Sequence, residues 1–367
     1  MRRSAGPHGR LRVLPPVRVG ALRLTSAAEG QIGLGLDLRP RPLPTLDQRL
    51  RGTEFIGLSV NRILNTPAAT GMSFWSINPY IGCEFGCSYC YARNTHRLTA
   101  ERAGQLPNAP PAQEFERRIF VKQDAARILR KTLDPTRVRA TIQIGTATDP
   151  YQPAERRFGV TRALLEALAQ FNGLRIRLIT KSALVARDAG LLARLSARNR
   201  VTVSISIISL DPELIRRLEP KTPLPHARLR ALRALADAGV DAGLIIAPII
   251  PGLTDGWGAL GGLMAAGKDA GARYAHGFAL RLGSVARSGF FPVLEREFPA
   301  LAARYRRRYG TRESAGRDYL TALEKRIAML QRIHGFPTGG RDHAGQVVPT
   351  TTDQPTLPLR EQPVPQA

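Results

Sequence analysis

Between about residue 73 and residue 333 the chain switches repeatedly between two patterns. Short runs rich in β-branched and aromatic residues predict strands over Ser73–Asn78, Ala140–Gly145, Leu174–Thr180, Val201–Ile208, Gly243–Ile250 and Tyr274–Leu282. Between them apolar residues recur every three to four positions, the spacing of a helix that buries one face. This predicts helices over Tyr91–Arg102, Gln123–Lys131, Val160–Phe171, Ala183–Arg198, Pro212–Leu218, His226–Ala238 and Trp257–Ala270. Two more, Phe290–Tyr309 and Asp318–Ile333, close the series. Asp211 is a good N-cap with Pro212 at the first helical position, and Gly239 suits the end of its helix.

Strand–helix alternation at this spacing calls for a parallel sheet with right-handed crossovers, an α/β fold. Six strands suit an incomplete barrel or a doubly wound sheet. In both, ligands sit at the C-terminal strand ends. The polar loops collect there: the cysteines after strand one, Thr146–Asp149 after strand two, Lys181 after strand three. Strand four has its own message. Val201, Val203, Ile205 and Ile207 point one way, and Thr202, Ser204 and Ser206 the other. A strand buried on both faces is normally apolar throughout, so this small polar face suits an interior that holds a polar ligand.

Residues 1–52 are rich in Arg, Pro and Gly and lack a sustained period, which predicts a basic, largely flexible segment with a short strand near Ile32–Leu38. Residues 339–367 read as a flexible Pro-, Gln- and Thr-rich tail, leaving 53–338 as the folded part. The longest apolar stretch, Ala242–Leu253, is too short and too interrupted by proline to span a bilayer. No apolar run follows the basic start, so the expectation is a cytoplasmic protein with no membrane partner.

Charge changes the picture. Lys+Arg is 54 against 29 Asp+Glu, a formal +25. Such a field attracts polyanions, which makes DNA or RNA the first partner to consider. Only six of those cations are lysine, and an Arg-, Ala-, Gly- and Pro-rich composition also follows from GC-rich coding.

The three cysteines, Cys83, Cys87 and Cys90, lie within eight residues. An odd, tightly grouped set is no disulfide framework; it points to a metal. Three thiolates on one loop can hold three irons of a four-iron cluster, leaving one iron without a protein thiolate. Gly82 and Gly86 allow the backbone close approach. The alternative is a zinc site with His96 as fourth ligand, although zinc ligands usually come in separated pairs.

The segment NPYIGCEFGCSYCYAR, with its C-x3-C-x-aromatic-C spacing after a first strand, resembles the signature of the radical S-adenosylmethionine superfamily. IGTATDPYQPAER, ITKS, VSISI followed by LEP, and PIIPGLTD narrow the resemblance to the spore photoproduct lyase-like branch, over about residues 78–282. It implies a partial (β/α)6 TIM-type barrel with a [4Fe–4S] cluster on Cys83, Cys87 and Cys90. It further implies S-adenosylmethionine chelated to the open iron and cleaved to a 5′-deoxyadenosyl radical, with the electron coming from a donor such as a flavodoxin or ferredoxin.

The resemblance also assigns positions. Tyr89 would lie against the adenine, with Tyr91 able to serve similarly. Thr146 and Thr148 would receive the cofactor's ammonium, in place of the family's Gly-Gly-Glu-like element. Lys181 would pair with its carboxylate, and the backbone from Ile249 to Gly252 would border the adenine. Strand parity rather than resemblance singles out Ser206, nearest the C-terminal end of the polar face of strand four, for the ribose or carboxylate. Photoproduct lyases use a further cysteine near the end of strand two; this sequence has Thr146 there and no spare cysteine, so a thymine-dimer repair label does not transfer with the fold. The alternative function is a non-catalytic iron–sulfur or zinc protein that grips nucleic acid. The run Arg304-Tyr305-Arg306-Arg307-Arg308-Tyr309 interleaves cations and aromatics as such a contact would, or as a solvated helix end would.

Overall fold

The computed structural model describes residues 45–48, 52–93 and 111–338. Eleven strands are present among them: β1 (Thr45–Gln48), β2 (Glu54–Gly57), β3 (Leu64–Asn65), β4 (Trp75–Ile77), β5 (Tyr80–Ile81), β6 (Arg118–Val121), β7 (Ile142–Ile144), β8 (Arg175–Thr180), β9 (Arg200–Ser206), β10 (Asp241–Ile249) and β11 (Ala275–Ala279).

Seven of these form the main sheet, in the order β11-β10-β9-β8-β7-β4-β3. The six from β4 to β11 run parallel, each laid beside its predecessor, and β3 caps the edge antiparallel to β4. They are the six strands that the sequence pattern predicts: four are shorter than expected, while β9 and β10 begin one and two residues earlier and end two and one residues earlier. The result is the partial TIM-type barrel.

Side-chain parity sorts the sheet into two faces. Ile176, Leu178, Val203, Ile205, Leu244 and Ile246 are fully buried in the layer of helices. Their neighbours Arg177, Ile179, Lys181, Ser204, Ser206 and Ile245 face an interior cavity. The polar parity of strand four is therefore the inner wall of the barrel. Gly267 lets its helix approach the sheet, since a Cβ there would sit 3.1 Å from Leu244, and Gly243 leaves room inside the barrel for the Tyr274 ring, 2.4 Å from where its Cβ would be.

Helix ends follow the local chemistry. Asp211 accepts from the Glu213 and Leu214 amides at 2.8 and 3.2 Å, and Gly239 takes φ +78° after the Pro225–Asp237 helix. The stretch predicted as one helix over Ala183–Arg198 begins as a 3-10 turn, Ala183–Asp188, before the α-helix Ala189–Ser196. Phe290–Tyr309 is two helices, Ser284–Glu297 and Pro299–Tyr309. Pro299 cannot donate to the preceding turn and starts a new helix instead.

A second sheet, β1-β2-β6-β5, has no counterpart in the sequence reading. Its strand β1 lies at Thr45–Gln48, inside the aperiodic N-terminal segment. Its importance is positional: β5 pairs with β6 and delivers the chain directly into the cysteines. The expected strand at Ile32–Leu38, most of the helix Tyr91–Arg102, and the tail from 339 fall outside the described residues.

Candidate active site

The cysteine loop leaves β5 at Gly82, where the backbone takes φ +90°. A Cβ there would lie 2.8 Å from the Arg118 carbonyl and 2.9 Å from that of Phe115, so only glycine fits. Three amides then tie the loop down. Cys83 N donates to Phe115 O at 2.8 Å, Ser88 N to Leu218 O at 2.9 Å, and Cys90 N to Cys87 O at 3.3 Å. Gln152 spans the loop's start: its amide nitrogen donates to Gly82 O and its oxygen accepts from Glu84 N, both at 3.0 Å. Arg93 closes the end, donating to Cys87 O at 2.9 Å while paired with Glu116. Beneath the loop, the buried Lys122 donates to Asn78 O at 2.7 Å, and burial lowers its ammonium to about 8.

This bracing turns Cys83, Cys87 and Cys90 toward one cavity of about 330 Å³, within the size range of ligand pockets, roughly 300–1,000 Å³. All three are free cysteines, and burial pushes every thiol upward, since a thiolate there lacks water. Positive charge from a metal cluster is the compensation such a donor set suits. Among the described residues no three His, Cys, Asp or Glu side chains gather around one point as a single ion requires. A cube asks for less, because each thiolate meets a different iron. His96, the candidate fourth ligand for zinc, lies outside the described residues.

The same cavity carries a buried charge network. Lys181 Nζ donates to Glu219 Oε1 at 2.8 Å, to Ser206 Oγ at 3.0 Å and to the Tyr89 hydroxyl at 3.2 Å. It also stands 5.5 Å from the centre of the Tyr89 ring. Glu219 accepts from Tyr89 as well, and its second oxygen pairs with Arg228. Arg228 has no exposed surface and donates further to Ser206 O at 2.8 Å. Burial would raise the Glu219 carboxyl, but Arg228 and Lys181 together hold it down at about 2. Glu219 thus fixes two cations, Lys181 and Arg228, beside Ser206. Asp149, raised by burial, is held within the protein, accepting from the backbone amides of Lys181 and Tyr151 at 2.7 and 2.9 Å and from the Thr180 hydroxyl at 2.6 Å.

Five of the six residues expected to contact the cofactor, Tyr89, Thr146, Thr148, Lys181 and Ser206, line this cavity with the cysteines. The two threonines also have partners within the protein. Thr148 Oγ1 donates to Gly82 O at 2.6 Å, and Thr146 Oγ1 accepts from Asn78 at 3.0 Å. Tyr91 lines the cavity too and donates to Thr146 O at 2.5 Å. Ile249 does not line it. A register shift between β10 and β11 after Ile246 turns it into the helix-side core, where it packs against Gly277. Ile245 and Ala247 take the inner positions instead. His276 is on the inner wall, stacked on Tyr274 at 5.3 Å.

The Arg304–Tyr309 run does not present aromatics to a ligand. Tyr305 and Tyr309 are buried, stack at 5.4 Å and donate to Pro251 O and Leu280 O.

Glu219 and Arg228 are the site residues that sequence reasoning missed. One signal was available: Arg228 occupies the apolar stripe Pro225, Ala231, Leu232, Leu235 of its helix, where an unpaired cation is untenable.

A parallel partial barrel with three cysteines and a cationic network in one cavity at its C-terminal rim defines a cofactor-dependent enzyme. The chain belongs to the radical SAM superfamily, whose family profile matches residues 77–258, and it is a radical SAM enzyme. It is 34% identical over 323 residues to an uncharacterized protein of Mycobacterium tuberculosis, covering 86% of this chain and 91% of that one. A second uncharacterized relative, from Methanocaldococcus jannaschii, is 28% identical over 203 residues, 55% of this chain and 70% of the relative. Among solved structures the fold is that of spore photoproduct lyase. The enzyme complexed with dinucleoside spore photoproduct aligns with a TM-score of 0.55 at 19% identity, covering 76% of this chain and 79% of that one. A variant with bound AdoMet and the same dinucleoside aligns at 0.52 and 17%, with the same coverage. No helix among the described residues is long and apolar enough to cross a membrane.

Proposed function

We propose that Cys83, Cys87 and Cys90 hold a [4Fe–4S] cluster whose fourth iron is left for S-adenosylmethionine, and that the enzyme acts on a nucleic acid, DNA first. When bound, this pair would supply one-electron reductive cleavage of the sulfonium and, through it, radical hydrogen abstraction. The chain's own part is positioning and exclusion of water. Lys181 offers its ammonium to the cofactor carboxylate, with Ser206 beside it; Glu219 fixes Lys181 and Tyr89 in place from below. Tyr89 presents its ring as an adenine-facing wall. Thr146 and Thr148 offer hydroxyl and carbonyl oxygens to the ammonium. The electron comes from a carrier such as a flavodoxin or ferredoxin, in the cytoplasm.

One observation carries this reading: the three cysteines line one cavity with Lys181, whose ammonium is held by Glu219 and, behind it, by Arg228. A non-catalytic binding module has no need of a cavity that holds a buried, paired lysine beside its metal. The nucleic-acid substrate is supported by the charge of +25 and by the fold shared with an enzyme solved with a dinucleoside.

The test is anaerobic reconstitution with iron and sulfide, then product analysis under dithionite. The expected result is four irons per chain and 5′-deoxyadenosine that disappears in each Cys→Ala variant. Four irons without that product, or zinc in their place, would overturn the proposal.

A further inference from the structure

Ser88 stands between Cys87 and Tyr89, which both line the cavity, and is only 5% exposed. Its backbone is held from two sides. The amide donates to Leu218 O, at the end of the Pro212–Leu218 helix, at 2.9 Å. The carbonyl faces Gly289 of the Ser284–Glu297 helix, where a Cβ would lie 2.7 Å from it, so that helix packs flush against the loop. The hydroxyl has no such partner. Among the described residues it is the only Ser or Thr hydroxyl shut off from solvent that lacks a hydrogen bond. The other hydroxyls of the site are engaged: Thr146 with Asn78, Thr148 with Gly82 O and Ser206 with Lys181. Native proteins satisfy nearly every buried hydroxyl, because a bare one forfeits the bond it makes with water. The cysteines show a matching gap. Burial raises all three thiols, but Cys83 gains a backbone hydrogen bond from Phe85 and Cys90 one from Ala92, and each bond favours the thiolate. What acts on Cys87 is burial, then the charges of Glu219, Lys181, Cys90 and Arg228, with no hydrogen bond among them.

We propose that the Ser88 hydroxyl donates a hydrogen bond to a sulfur at the Cys87 corner of the iron–sulfur cluster and so sets how readily that cluster is reduced. The proposal rests on the cluster reading above and adds a residue to it. A free donor and the cysteine that has none are neighbours on a loop whose backbone cannot shift to bring another. A cluster becomes more negative when it takes its electron. A donor aimed at one of its sulfurs therefore favours the reduced form, and the potentials of such clusters follow the hydrogen bonds to their sulfurs. Ser88 is a positioning residue in this sense: it acts through the cluster. A trapped water is the other group that could engage the hydroxyl, and a water there would leave the potential unchanged on removal of the side-chain oxygen.

The test compares the reconstituted holoprotein with its Ser88→Ala and Ser88→Thr variants, without S-adenosylmethionine. Iron per chain and thermal unfolding confirm that each is folded and holds four irons, and Ser88→Gly serves if Ser88→Ala loses iron. A redox titration is followed by electron paramagnetic resonance. At the potential where wild type is half reduced, the reduced-to-oxidised ratio of Ser88→Ala should be about tenfold lower, a midpoint ~59 mV more negative for one electron. Ser88→Thr, which keeps the hydroxyl, should stay within about threefold of wild type. Double resonance on the reduced cluster in H2O and in D2O should show an exchangeable proton in wild type and Ser88→Thr that Ser88→Ala lacks. An intact four-iron cluster in Ser88→Ala with the wild-type midpoint, or with every exchangeable proton still coupled, overturns the proposal and leaves the cluster reading standing. A wild-type protein that takes up no four-iron cluster overturns both.

Discussion

Glu219 holds two cations that would otherwise repel each other across the floor of the cavity. Replacing it with Gln removes the negative charge and leaves Arg228 buried without a counter-ion. Breaking a buried pair in this way costs about 3–5 kcal/mol, so Glu219→Gln should show that loss in denaturant unfolding. Acid provides a second check. The carboxyl is held at about 2, below the roughly 4.3 of an unfolded chain. Its contribution is therefore complete above pH ~4.3 and is lost as pH falls toward 2. The stability gap between wild type and the Gln variant should narrow over that window; a gap that stays constant would show that the carboxylate is not the source. At this scale the sequence was legible only where chemistry is local. The cysteines announce themselves through spacing within one loop. Glu219 gathers partners 130, 38 and 9 residues away, in Tyr89, Lys181 and Arg228, and no local pattern records that meeting.

The cysteine loop depends on elements too short to be seen in the sequence. β5 has only two residues, too few to show any alternation. β6 follows the Pro111–Arg117 helix with no turn between them. By contrast, the parallel strands from β7 to β11 were readable, because each is flanked by a periodic helix. The missed break at Pro299 had its signal in the proline itself. Gly82 connects the hidden sheet to the site. An alanine there would need a left-handed backbone and would press on two carbonyls at under 3 Å. Gly82→Ala should therefore retain the barrel by circular dichroism but hold clearly less iron after reconstitution, by at least about half. Full iron retention would mean that the loop's shape is set elsewhere.

For the molecule as a whole, the six parallel strands bring together what the sequence scatters: the loop after β5, Thr146 and Thr148 after β7, Lys181 after β8, and Ser206 at the end of β9. The rule that ligands bind at C-terminal strand ends was enough to foresee that convergence. It could not foresee Ile249, because one register shift reverses the face of every residue beyond it. Net charge was legible as a number and less so as a map. Tyrosines that alternate with arginines in the last long run turn inward to the core.

In the proposed cluster one iron has no cysteine to bind it, and the identity of its partner is the most direct test. Electron–nuclear double resonance on the reduced, reconstituted protein, with S-adenosylmethionine labelled with nitrogen-15 in its amino group, reads that iron's partner. The account predicts a hyperfine coupling from the labelled nitrogen that is absent without the cofactor. A four-iron signal that ignores the label, with coupling to a nitrogen of the polypeptide instead, would contradict it.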